Sequence, residues 1–174
     1  MSETAVIYKS YYGTTKRYAA WITEELGASL LDASKIKPAQ LGSYKTVIYG
    51  GGLYAGGIAG VSLVTKNPCD SLVVFTVGLA TPAITDYTAI MKKAFSDDDL
   101  ARIKVFHLQG GIDYGRLSLV HKAMMAMKKK EVENTPLAER TSDDLLLLET
   151  YGSRVDFTEK DAIKPLVDYV YSLQ

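Results

Sequence analysis

The chain is almost without the residues that build covalent staples and metal centres. It has one cysteine, Cys69, and two histidines, His107 and His121, among 174 residues. One cysteine excludes an intrachain disulfide, and so few ligands leave no spacing for a metal cluster, so no metal is expected. That cysteine usage suits a reducing cytoplasm. Net charge is also missing: 20 basic residues cancel 20 acidic ones. A general attraction to nucleic acid is therefore not expected, and only local patches could draw an anionic surface. No apolar run approaches membrane-spanning length, and the N-terminus lacks the charged-then-apolar pattern of a signal peptide.

What remains is a globular composition, 47% hydrophobic, long enough for one domain with a sizeable core and short for two. Short apolar runs rich in Val, Ile and Leu recur at Ala5–Tyr8, Ser29–Leu31, Thr46–Tyr49, Leu72–Val77 and Val105–Leu108. They barely alternate, which suits strands covered on both faces. Between them the pattern predicts helices over Thr14–Leu26, near Gly60–Lys66 and over Asp86–Phe95, with a last amphipathic helix from Glu159 to Leu173. Alternating strand and helix imply an α/β fold with a parallel sheet and right-handed crossovers. Five such strands fit the order 2-1-3-4-5 of a three-layer sandwich. About 45 residues, 112–157, exceed the short connection that a compact fold needs there. They are expected to elaborate a single domain and to pack beside the ligand edge, with a helix over Gly115–Glu131 and another starting at Ser142-Asp143-Asp144.

The densest chemistry lies where the first strand empties on to the first helix. Ser10, Tyr11, Tyr12, Gly13, Thr14 and Thr15 contain no carboxylate. A helix N-terminus offers unpaired amides and the positive end of a dipole, and hydroxyl donors complete a phosphate cradle. One N-cap needs only one hydroxyl; here Ser10, Thr14 and Thr15 converge. In open α/β sheets ligands sit beyond the carboxyl ends of the strands, so the later loops matter too. After strand three, Gly50 to Gly57 holds five glycines in eight positions, allowing positive φ and close backbone approach. Within it lie Gly51, Gly52, Leu53, Tyr54, Ala55 and Gly56. Strand four ends in Thr76, Val77, Gly78, Leu79 and Ala80, and strand five leads into Gly110 and Asp113. This edge suits a flat, largely uncharged ring with a phosphate tail. Gly50-x-Gly52-x-x-Ala55 fits a dinucleotide fingerprint, but the acid at the required spacing, Asp70, precedes its strand instead of ending it. No P-loop motif occurs, and the acidic positions of a signalling receiver are held by Ser10 and Gly50.

With these residues in view, the chain resembles the flavodoxin family. The family's first loop runs Thr/Ser-x-Thr-Gly-x-Thr; Ser10, Gly13 and Thr15 match it, and Tyr12 departs from it. Val47 to Gly56 resembles the ring-contacting segment of the branch that includes the menaquinone-dependent protoporphyrinogen oxidases. Gly110-x-x-Asp113-Tyr114 and the Met- and Lys-rich stretch after Arg116-Leu117 are similar to that branch's extra segment. The resemblance implies non-covalently bound FMN. Ser10 to Thr15 would hold its phosphate, and Gly51 to Gly56 with Thr76 to Ala80 would border its ring, Leu53 or Tyr54 flanking one face. It implies no acid, base or nucleophile, since the flavin carries the redox chemistry. Two roles follow: electron transfer to a protein partner, or oxidation of a small molecule, protoporphyrinogen foremost, with a quinone acceptor.

Other features carry milder expectations. Leu117, Val120, Met124 and Met127 share one helical face and are expected to pack inward. Arg116, Lys122 and Lys128 to Lys130 make a basic helix, a solvated face or a docking surface for an anionic membrane or an acidic redox partner. His121 is expected on the solvent side and His107 half-buried and satisfied. Leu145 to Leu148 either close the elaboration on to the core or join a second copy.

Overall fold

The structure, a computed structural model, describes residues 3–174. The chain runs β1 (Thr4–Lys9), α1 (Thr14–Leu26), β2 (Ser29–Asp32), β3 (Thr46–Tyr54), β4 (Gly57–Ile58), α2 (Ser62–Thr65), β5 (Ser71–Gly78), α3 (Thr88–Ala94), α4 (Asp97–Arg102) and β6 (Lys104–Gln109). It continues with β7 (Gly111–Asp113), α5 (Leu119–Asn134), α6 (Ser142–Thr150), β8 (Arg154–Asp156) and α7 (Lys164–Ser172). The main sheet has the order β2-β1-β3-β5-β6, with β4 paired only to β3. Apart from that antiparallel hairpin, every pairing in this sheet is parallel. The five long strands thus take the order expected from their spacing.

Period-two alternation divides the core into two layers. Val6, Ile48, Phe75, Val77 and Leu108 pack under α1 and α7 with Tyr18, Ile22, Leu166 and Val170. Ala5, Ile7, Val47, Tyr49 and Val74 face the opposite way, against Leu41, Met91 and Phe95. Helices on both faces explain why these strands read as continuous apolar runs. α1 starts after Gly13 at φ 102° and stops at Gly27 at φ 58°, whose N–H bonds Thr23 O in a left-handed C-cap.

Several boundaries differ from expectation. Gly50, Gly51 and Gly52 belong to β3, which runs on to Tyr54, so no wide glycine loop forms. Ala55 and Gly56, at φ 49° and 70°, make the two-residue turn into β4, the left-handed geometry of primed hairpins. Ordinary ladder pairing extends the strand, and the glycines serve packing: a Cβ on Gly50 would lie 2.0 Å from the Phe75 ring. The helix α4 was not anticipated; its Ser96 Oγ accepts from Asp99 N at 3.1 Å, an ordinary N-cap. α5 begins at Leu119 rather than Gly115, because Ser118 caps it through His121 N. The last helix opens with a 3-10 turn, Lys160–Ile163, before Pro165 in the first turn of α7. β7 and β8 form an antiparallel ribbon, Ile112 opposite Val155, that no sequence pattern disclosed.

Candidate functional site

Beyond the carboxyl ends of β1, β3, β5 and β6 lies a cavity of about 230 Å³, on the α1 side of the sheet. At its floor is the start of α1. Gly13, the N-cap residue, supplies no side-chain cap, and the first turn holds no acid. The amides of Thr14, Thr15 and Lys16 therefore lack intrahelical partners. Gly13 N–H itself donates to Ser10 Oγ at 3.0 Å, which fixes the loop. Thr15 is 2% exposed, yet it lines the cavity with Thr14, Ser10, Tyr11 and Tyr12. No described residue hydrogen-bonds to the Thr14 or Thr15 hydroxyl.

The sheet edge forms the second wall. Gly52, Leu53 and Tyr54 line it, as do Val77, Gly78, Leu79, Gly110 and Asp113. A Cβ on Gly52 would stand 3.3 Å from Thr15 Oγ1, and one on Gly110 would reach Val77 Cγ1 at 2.7 Å and Thr14 Oγ1 at 3.4 Å. Both glycines thus keep the edge open beside the hydroxyls. Gly110 N donates to Gly78 O at 2.7 Å, and Gln109 Nε2 to Leu79 O at 3.0 Å, bracing that edge. Asp113 Oδ1 accepts from Gly115 N at 3.0 Å, and its Oδ2 lies 3.7 Å from Arg154 Nε.

Not every residue expected at the site reaches the cavity. Strand alternation turns Thr76 to the other sheet face, where its hydroxyl meets His107 Nδ1 at 2.6 Å. Gly51 faces that side too, where a Cβ would collide with Ile58 and Ala59 O. Ala55 and Gly56 occupy the hairpin turn, Gly13 is exposed behind the loop, and Ala80 lies past the end of the wall. His107 is half-buried as expected; Tyr87 stacks on it at 3.6 Å, and burial lowers its pKa so that the neutral ring is favoured.

The elaboration packs beside the ligand edge as expected, but the residues by which it forms the third wall were not singled out: Gly111, Ile112, Leu117, His121, Met125 and Leu147. His121 is not on the solvent side. Its ring lies 4.2 Å from that of Tyr54 and makes edge contacts with Tyr11 and Tyr12. Its Nδ1 is hydrogen-bonded to Tyr12 Oη, which also accepts from Ser118 N at 3.2 Å. The expected inward face holds only in part. Leu117 is buried just before the helix and Met124 Sδ accepts from Tyr54 Oη at 3.2 Å, but Val120 and Met127 are 67% and 71% exposed, and His121, Met125 and Val132 turn inward beside them. The cap at Ser118 sets this phase, and with only Val132 fully buried on α5, apolar spacing gave little guidance. Leu147 closes on to the cavity, while Leu145 is exposed. Four consecutive leucines cannot share one helical side.

Among the described residues no cluster of His, Cys, Asp and Glu could hold a metal ion, and no helix is long and apolar enough to cross a membrane. No curated protein matches the chain. Its fold is similar to that of a WrbA-like flavodoxin from Agrobacterium tumefaciens, at 18% identity over 66% of this chain and 87% of that one, TM-score 0.48. It is also similar to a flavoprotein in complex with FMN from Lactobacillus acidophilus NCFM, at 16% identity over 63% and 93%, TM-score 0.42. A flavodoxin from the domain Archaea aligns at 14% identity over 45% of this chain, TM-score 0.38, and the chain spans 64% of that protein's length. The Flavodoxin domain family matches residues 5–137. That match runs from β1 through the hydroxyl loop and the glycine edge to the end of α5, and the chain therefore belongs to the flavodoxin domain family.

Proposed function

We propose that the cavity binds one FMN non-covalently and that the protein passes electrons through it. The observation that carries this reading is the pairing of unspent donors with an open sheet edge. The first-turn amides of α1 and the hydroxyls of Thr14 and Thr15 have no partner among the described residues, and Gly52 and Gly110 leave space beside them. Those donors suit a phosphate, and the walls of Leu53, Tyr54, Val77 and Leu79 suit a flat apolar ring. Ser10 to Thr15 would hold the phosphate, while Gly52 to Tyr54, Val77 to Leu79, Gly110 and Asp113 would border the ring. Bound flavin supplies the electron chemistry; the chain binds and orients it and excludes water from its surroundings. Gly52 O is already engaged by Ala59 N at 2.9 Å, so this peptide is braced.

The test is a visible spectrum of the purified protein, release of any chromophore by heat, and fluorescence quenching of added FMN. Released or tightly bound FMN is expected; a colourless protein that ignores FMN overturns the reading. Gly52→Ala would crowd Thr15 Oγ1 and is expected to weaken FMN roughly tenfold and shift its midpoint potentials. Unchanged titrations would remove Gly52 from the site.

Two roles are open to such a protein, a carrier and an oxidase of the protoporphyrinogen-oxidase branch with a quinone acceptor. One observation favours the oxidase: Leu117, His121, Met125 and Leu147 of the elaboration wall the cavity, as a substrate-binding segment would. Turnover of protoporphyrinogen with a quinone, lost in Leu147→Asp while FMN is retained, is the expected result. Reduction of a protein partner without any small-molecule turnover would favour the carrier. A single cytoplasmic domain is part of this proposal. So is a peripheral membrane contact through Leu119, Val120 and Met127, exposed on α5 beside Arg116, Lys122 and Lys130. Liposome flotation checks that contact.

A further inference from the structure

No lysine or arginine side chain lines the cavity at the start of α1. Of the side chains that line the cavity, His121 alone can become a cation, and Asp113 is the one carboxylate. A phosphomonoester carries close to two negative charges at neutral pH. Amides, hydroxyls and a helix dipole offset part of that charge, and a charge-assisted hydrogen bond is roughly twice as strong as a neutral one.

His121 is built to supply one. Tyr12 Oη accepts the Ser118 N–H and shares one proton with His121 Nδ1. No described residue is hydrogen-bonded to His121 Nε2. A phenol oxygen can accept two hydrogen bonds and donate one. If the ring gains a proton, Nδ1–H donates to Tyr12 Oη, which then accepts from both Ser118 and His121. The Tyr12 hydroxyl proton is then left to donate elsewhere, and Nε2–H is a donor too. One proton taken from solvent thus creates a cation and releases a second donor, with no change of heavy-atom contacts.

We propose that Tyr12 and His121 form a proton-switched contact for the phosphate of a bound organic phosphomonoester, so that the ligand and one proton bind together. This inference rests on the FMN reading and adds a charge partner that the elaboration supplies. The surrounding groups allow it. Tyr11, Tyr12 and Tyr54 touch the ring, Lys9 lies over the far Tyr11 at 5.9 Å, Lys122 follows on α5, and Asp113 is shared between Gly115 N and Arg154.

Calorimetric titration of the full chain with FMN, in two buffers of different ionisation enthalpy near neutral pH, counts the protons taken up. Wild type is expected to take up a fraction of a proton with FMN and none with riboflavin, which lacks the phosphate. His121→Gln should abolish the uptake and bind FMN roughly tenfold more weakly at mildly acidic pH. His121→Lys, already charged, should restore affinity without uptake. Equal uptake in wild type and His121→Gln, or none in wild type, overturns the inference while FMN binding stands. If wild type binds no FMN, the functional reading falls and this inference with it. Should His121→Gln lose its fold by circular dichroism, the lysine variant and the riboflavin comparison decide the matter.

Discussion

The sheet body and the elaboration between β6 and α7 are held together by different forces. In the body, Val6, Ile48, Tyr49, Phe75 and Val74 are fully buried, and two apolar layers sandwich the sheet. Burial on that scale, at about 25 cal/mol per Å², dominates its stability. Within residues 112–157 of the elaboration only Tyr114, Leu117 and Val132 are buried apolar residues. It is pinned instead by polar clamps. Arg17 reaches Asp156 Oδ2 at 2.6 Å and Thr158 Oγ1 at 2.7 Å, Tyr12 holds Ser118 and His121, and Thr85 donates to Asp143 at 3.0 Å. A neutral bond of this kind contributes about 0.5–1.5 kcal/mol, and the half-exposed Arg17–Asp156 pair less. The body is thus a rigid floor, and the third wall of the cavity is attached to it by contacts that can open separately.

The sharpest way to test that contrast is to damage each part in its own currency. Phe75→Ala empties the centre of the body and is expected to cost about 3–5 kcal/mol, lowering the thermal midpoint of the whole chain. A small, local effect would mean the core is less continuous than its packing indicates. Tyr12→Phe removes one clamp while keeping the ring. Amides in the first turn of α5 should exchange roughly tenfold faster, with the global midpoint moving little. Uniform acceleration across β1 and β3 would show that the two parts open as one.

The smallest effect is at Asp156, whose carboxyl is held down to about 2 by Thr158 and Arg17. A depressed folded value stabilises above the ordinary carboxylate range, and that contribution is lost as pH falls from about 4 toward 2. The pair is half exposed, so screening keeps it to tenths of a kcal/mol. Asp156→Asn should flatten the acid limb of β8 protection in that window, and an unchanged limb would show that the clamp carries no charge coupling.

How much could be read in advance follows the same division. Thr14 and Thr15 were legible because a helix start has a fixed geometry, and Gly52 and Val77 because strand ends do. Gly51 misled because a loop was assumed where β3 continues, and Thr76, inside the expected strand Leu72–Val77, because an extended strand sends alternate residues to opposite faces. His121 was placed on the solvent side because its true position depends on Ser118 ending a turn and on Tyr12 reaching across 109 residues of sequence.

The sequence by itself determined the alternation of strand and helix, the strand order and the hydroxyl cradle, since each follows from local periodicity or a single junction. The tertiary structure decided the third wall, the ribbon of β7 with β8 and the face that α5 turns inward. Those depend on hydrogen bonds between distant residues, and apolar spacing along one helix carries no record of them.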